Sequence, residues 1–325
     1  MRSLRVIASI WTGIYVAATP ALAQWQPARN VELIVPAAAG SALDSVARLL
    51  QRVIQDKQLV KSSITVVNKA GGGNAVGFAY LSSHAGDGHY ALVTPFTIIT
   101  NRITGSNPLS YQDFTPIAML ADEHIAFVVN ANSPIKTGRD LLARLKNDPA
   151  SVSMALASAL GNANHIAVSL AGKAVGADSK RFKIAVFNSS GESITAVLGG
   201  HIDLAITTTG LIGQQIQSGR LRVLAVAANE RLGGPLAQVP TWREQGVDVV
   251  FSSWRALIGP RGMSAEQIAY WDGVVAKVSA QDEWVQELNN NSLVPAYKGS
   301  EDTRKFLQAQ SEQLRAILQD LGMAK

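Results

Sequence analysis

Val31-Glu32-Leu33-Ile34-Val35-Pro36-Ala37-Ala38-Ala39-Gly40-Ser41-Ala42-Leu43-Asp44 is the stretch on which the fold turns. A short β-branched and aliphatic run stops at a proline, and small residues follow it. Apolar positions then recur at Leu43, Val46, Ala47, Leu50 and Ile54, the spacing of one helix face over 42–55. Strand, tight junction and helix are thus written into one continuous segment. The pattern then repeats. Ile64-Thr65-Val66-Val67 reads as a second strand, 74–82 as a helix after a triple glycine, and Tyr90-Ala91-Leu92-Val93-Thr94 as a third strand. A βαβαβ order of this kind argues for a parallel sheet with helices on both faces.

Further along, Phe127-Val128-Val129, Ser153-Met154-Ala155-Leu156, Ile184-Ala185-Val186-Phe187, Leu204-Ala205-Ile206 and Val223-Leu224-Ala225-Val226 are strand-like, with helical segments between them. The chain closes on an amphipathic helix over 303–321, with Phe306, Leu307, Leu314, Ile317, Leu318 and Leu321 on its apolar stripe. Two αβ units in one chain of 325 residues predict two lobes. No Ser-, Gly- or Pro-rich linker separates them, so short strands are expected to cross from one to the other. We expect residues 24–123 with 251–325 to form one lobe and 124–250 the other. The cleft between such lobes is a preferred place for a small ligand.

The first 23 residues read as an export signal. Arg2 and Arg5 supply the positive end, 6–18 is uncharged and apolar, and Ala21-Leu22-Ala23 forms an A-x-A cleavage site before Gln24. The apolar run falls short of the ~20 residues that span a bilayer. The expected product is an exported, periplasmic protein. Without Arg2 and Arg5, 27 basic residues stand against 24 acidic ones, a balance that offers mild steering for an anion. Charged residues make up only 16% of the chain, too few for a disordered or nucleic-acid-binding tail.

Catalytic signatures are missing. There is no Cys, which excludes thiol chemistry, disulfides and Cys-based metal sites. No G-x-S-x-G elbow occurs. Gly71-Gly72-Gly73-Asn74-Ala75-Val76-Gly77 approaches a dinucleotide fingerprint, but Val76 stands where the third glycine belongs. Gly172-Lys173 lacks the upstream glycine of a phosphate loop. The histidines at 84, 89, 124, 165 and 201 form no H-x-x-x-H pair. The sequence therefore asks for no cofactor and no metal, and it argues against an enzyme.

What it does offer is small polar residues where strands turn into helices. Residues 36–44 form the first such junction, and backbone N–H groups at a helix N-terminus can receive a carboxylate without any arginine. The same residues also suit a plain helix start, with Ser41 as N-cap and Asp44 closing a capping box. Ala157-Ser158-Ala159-Leu160-Gly161-Asn162-Ala163-Asn164-His165 is the second junction, Asn188-Ser189-Ser190-Gly191 the third, and Thr207-Thr208-Thr209-Gly210 the fourth. Junctions at the carboxyl ends of parallel strands are where open α/β sheets bind ligands. Trp254, in Ser252-Ser253-Trp254-Arg255, falls on a strand expected to return to the first lobe, and alternation puts Arg255 on the opposite face.

These segments resemble, in order, the tripartite tricarboxylate transporter receptors, also called the Bug family of periplasmic solute-binding proteins. VELIVPAAAGSALDSVARLL, NKAGGGNAVGFAYL, LGNANHIAVSLAG, AVLGGHIDLAI, GRLRVLAVAA, VPTWREQGVD and SSWRALIGP carry the resemblance across the mature chain. It implies a two-lobed α/β fold of the type II periplasmic-binding-protein kind, closing on a small organic anion. Residue by residue it implies ligand contacts at Ala39, Gly40, Ser41, Ala42 and Asp44, and at Ser158, Gly161, Asn162, Asn164 and His165. Thr207 and Thr208 stand on the opposite wall, and Trp254 is added to the expected contacts. Ala37 replaces the family's usual Phe, Ser41 its second Gly and Ala159 a Gly, so a di-, tri- or aromatic carboxylate all remain open. The implied role is delivery to membrane transporter subunits, by a monomer with no nucleic-acid partner. The alternative is a sensor that signals to a membrane-bound regulator.

Overall fold

The computed structural model describes residues 25–157, 160–187 and 189–325; residues 1–23, read above as an export signal, lie outside them. Strand β1 (Val31–Val35) ends at Pro36, and helix α1 (Ala42–Asp56) follows the small-residue junction. Strand β2 (Ile64–Asn68), helix α2 (Ala75–Ser82) and strand β3 (Tyr90–Pro95) complete the βαβαβ unit, with β2 and β3 both parallel to β1. The α1 positions picked out by spacing are its buried face: Leu43, Val46, Ala47, Leu50 and Ile54 all lie in the core, against Trp271 and Trp284. Each large aliphatic side chain so buried contributes roughly 1.5–3 kcal/mol.

After α3 (Thr97–Ile103) comes β4 (Phe114–Asn130), of which the sequence shows only the last part plainly. β4 is the spine of the molecule. Its first part pairs antiparallel with β9 (Ser252–Pro260) and with β10 (Val294–Lys298). Its last part pairs antiparallel with β7 (Leu204–Thr208) and β8 (Leu221–Val226). Beyond β7 lie β5 (Ser153–Ala157) and β6 (Lys183–Phe187), both parallel to their neighbours. The strand order is β2-β1-β3-β9-β4-β7-β5-β6, one curled sheet whose two halves form the two lobes. Pro116 cannot donate to a ladder, and the β4–β9 register shifts just after it and again between Met119 and Ala121. Such bulges bend and twist a strand, which lets β4 serve both lobes.

Helices α4 (Gly138–Asn147), α5 (Ala163–Ala174), α6 (Ser190–Leu198) and α7 (Gly213–Gln217) cover the second half-sheet. Helices α8 (Ala265–Ser279), α9 (Asp282–Asn290) and α10 (Ser300–Asp320) cover the first. Among the described residues no helix is long and apolar enough to cross a membrane.

The sheet register decides where a site can form. Pro95, at the end of β3, is level with Arg255 of β9, which is level with Ala121 of β4; Thr208, at the end of β7, is level with Ile125. The carboxyl ends of the parallel strands of both lobes therefore converge on residues 121–125 of β4.

Candidate functional site

The first junction is held from behind. Gly40 takes φ +78°, a left-handed conformation that glycine enters without strain. Ser41 caps α1, its Oγ accepting from Asp44 N–H at 3.2 Å. The expected capping box is only half present. The Asp44 carboxylate accepts from Gly40 N–H (2.8 Å), Arg48 Nε (2.8 Å) and Asn68 Nδ2 (2.9 Å), not from Ser41 N–H. Burial pushes the Asp44 pKa up, but the bonds from Arg48, Gly40 and Asn68 outweigh it and hold the carboxyl below the usual carboxylate value. Asp44 is thus a brace for the loop and has no donor to offer an anion. Asn74 Nδ2 donates to Pro36 O at 2.7 Å, and Gly77 lies so close that an added Cβ would stand 2.5 Å from Pro36 Cβ. The N–H groups of Ala42 and Leu43 have no partner among the described residues.

In the second junction Ser158 lies outside the described residues. Asn162 caps α5: its Oδ1 accepts from His165 N–H at 3.0 Å, and its Nδ2 donates to Ala157 O. Asn164 is buried, with its Oδ1 unpaired. Gly161 N–H donates to His165 Nδ1 at 3.0 Å, which makes Nδ1 the acceptor of a neutral ring. Burial holds His165 below the ordinary histidine range. On acidification the unfolded chain takes up that proton first. The contribution to stability is therefore complete above about pH 6.5 and shrinks as pH falls toward the folded-state value. Urea unfolding of wild type and His165→Asn between pH 7 and 5 should give a difference that declines with pH; a flat difference would rule out the neutral buried ring.

In the fourth junction Thr207 is fully buried and its Oγ1 has no partner, while Thr208 is half-buried. Thr209 Oγ1 donates to Ser292 O at 3.0 Å. An added Cβ on Gly210 would stand 2.8 Å from Asn291 O and 3.5 Å from Glu123 Oε1, so only glycine fits. Between these pieces opens a cavity of about 580 Å³, lined by Gly40 and Ala42, by Glu123 and Gly210, and by Arg48 and Asn291 among others. The structure thus brings the first junction and the segment after Thr208 to one cavity. Gly161, Asn162, Asn164 and His165 do not line it.

Trp254, expected among the ligand contacts, is 1% exposed and packs edge-to-face on Phe306 of α10. A ring so deeply buried presents no surface to a solute in this state. The sequence reading passed over Glu123 and Asn291, and had Gly210 only as the end of the fourth junction, not among the ligand contacts. One signal was present: a buried strand as apolar as β4 has no ordinary place for a glutamate, and an acid there needs a partner. That partner is Arg255. Its Nη2 bonds Glu123 Oε2, and its Nη1 donates to Ser253 O and Oγ, each at 2.8 Å.

A two-lobed α/β chain with a helix N-terminus at a cavity, walled mainly by α1 and α9 of the first half and reached from the second by Gly210, has the build of a solute-binding protein. The family model described as the tripartite tricarboxylate transporter family receptor matches residues 46–323, and the chain belongs to that family. Protein BugT of Bordetella pertussis is 26% identical, over 99% of this chain and 99% of that one. A protein of R. palustris solved with adipate superposes at TM-score 0.77 with 24% identity, covering 92% of this chain and 99% of its own. MatC of Rhodopseudomonas palustris, solved with bound malate, gives 0.72 and 21%, covering 90% and 99%. At these identities the two structures speak for the fold.

Proposed function

We propose that this protein is an exported, monomeric receptor that binds a small organic carboxylate and delivers it to a membrane transporter. The observation that carries this reading is the pair of unpartnered N–H groups, Ala42 and Leu43, at the N-terminus of the fifteen-residue α1 beside the cavity. That end of the helix favours an anion. The adipate and malate held by two proteins of this fold support the same ligand class. Family membership, together with the absence of nucleophile and nucleotide motifs, favours a receptor over an enzyme. The signal read at 1–23 supports export with cleavage after Ala23.

A thermal-shift panel of organic acids tests the binding. A ligand at a hundred times its dissociation constant adds about 2.7 kcal/mol to the folded state, and no stabilisation by any acid, adipate and malate included, would sink the proposal. Delivery is tested apart: deletion of the gene should abolish uptake of the stabilising acid, whereas a sensor would leave uptake intact.

We assign 24–123 with 251–325 to one lobe and 124–250 to the other. The pairing of β9 between β3 and β4 supports that division. Limited proteolysis should then yield no stable fragment ending near residue 125, since its sheet is completed by β9. Recovery of a folded 24–123 piece would refute the assignment.

A further inference from the structure

We infer that Glu123 selects, among carboxylates, those that also carry a hydrogen-bond donor, a hydroxyl or an ammonium group. The inference rests on the carboxylate reading above and adds a determinant to it. Glu123 sits on β4 where the strand ends of both lobes converge, and it is 3% exposed. Its Oε2 is occupied by Arg255, whereas its Oε1 has no hydrogen-bond partner among the described residues. The residue lines the cavity together with Ala42 and Gly210, and the missing side chain at 210 leaves Oε1 uncovered from that direction. An ionised carboxylate only accepts hydrogen bonds, so this atom asks for a donor from whatever fills the cavity.

The charges around the cavity point the same way. Arg48 is paired with Asp44, and Arg52 with Glu283 at 3.2 Å and Glu287 at 3.6 Å. Arg255 already offsets the charge of Glu123. No unpaired cation among the described lining residues therefore waits for a second carboxylate, which would also face Glu123 as like charge on like charge. A hydroxyl or ammonium group beside the first carboxylate meets neither obstacle.

The test is titration calorimetry on the full mature chain with matched acids: propionate, lactate and alanine, then succinate, malate and aspartate. In each series the donor-bearing acid should bind about ten- to a hundredfold tighter than the plain one, the range of a hydrogen bond to a charged group. Glu123→Gln, which presents an amide able to donate as well as accept, should erase that preference and narrow the gap to within threefold. Should Glu123→Gln prove unstable, Glu123→Gln combined with Arg255→Gln removes both charges together and should show the same loss of preference. Equal binding of plain and donor-bearing acids by wild type overturns the selectivity while leaving the carboxylate reading standing. Preference retained in a folded Glu123 variant overturns the role of Glu123. Failure of every acid to bind overturns the carboxylate reading and the selectivity with it.

Discussion

Arg255→Met is expected to lower the free energy of unfolding by about 3–5 kcal/mol, the cost of stranding one member of a buried ion pair. The side chains of Arg255 and Glu123 are 8% and 4% exposed, so solvent cannot replace the lost partner. Four polar atoms lose this donor at once: Glu123 Oε2, Ser253 O, Ser253 Oγ and Trp254 O. The pair itself need not be worth that much. Taking two charges out of water offsets most of their mutual attraction, and an apolar replacement of both is often neutral. Arg255→Met combined with Glu123→Leu is accordingly expected to recover most of the loss. Urea unfolding of both single variants and the double closes the cycle. A single variant that costs less than about 1 kcal/mol would place the pair in solvent, contrary to the burial described.

Ser41→Trp should abolish binding of whichever carboxylate stabilises the wild type, a loss of at least a hundredfold, while the protein stays folded. Ser41 stands at the mouth of the first junction, half-buried, with Gly40 in open space on one side and Ala42 on the other. An indole there covers the N–H groups of Ala42 and Leu43. Loss of the cap costs only about 1 kcal/mol of stability, a small part of what the core around α1 supplies. Ser41→Ala separates the two effects: it loses the cap without blocking the junction, and should keep most of the affinity. Equal affinity in the Trp variant and wild type would remove this junction from the site.

The first half of the fold is legible because periodicity there is clean. Leu43, Val46, Ala47, Leu50 and Ile54 announce α1, and Pro36 marks the end of β1 to the residue. β4 is hidden for the opposite reason. It is covered on both faces, so its burial shows no alternation, and Pro116 argues against a strand in its first part until the register shift beside it is known. β10 was missed because Val294–Lys298 is short, polar at one end and only partly buried. Within the site, the junction residues are visible as small residues before a helix, while the cavity that uses them is not. Glu123, Gly210 and Asn291 come together from β4, the turn after β7 and the end of α9. Only pairing in three dimensions creates that meeting. Trp254 shows the converse: an aromatic residue on a crossing strand reads as a ligand platform, yet packing against Phe306 claims it for the core.

β9 lies between β3 and β4, although more than a hundred residues of chain separate it from either. A ribosome making this chain from its N-terminus therefore delivers β1, β2, β3 and β4 long before the strand that joins them. Until residue 260 has emerged, the edges of β3 and of the first part of β4 lack their partner and stay open to pairing with other chains. α10, which seals the same side, arrives last of all. Contacts this distant in sequence also slow folding. The order of synthesis thus leaves the first half-sheet incomplete until most of the chain has been made.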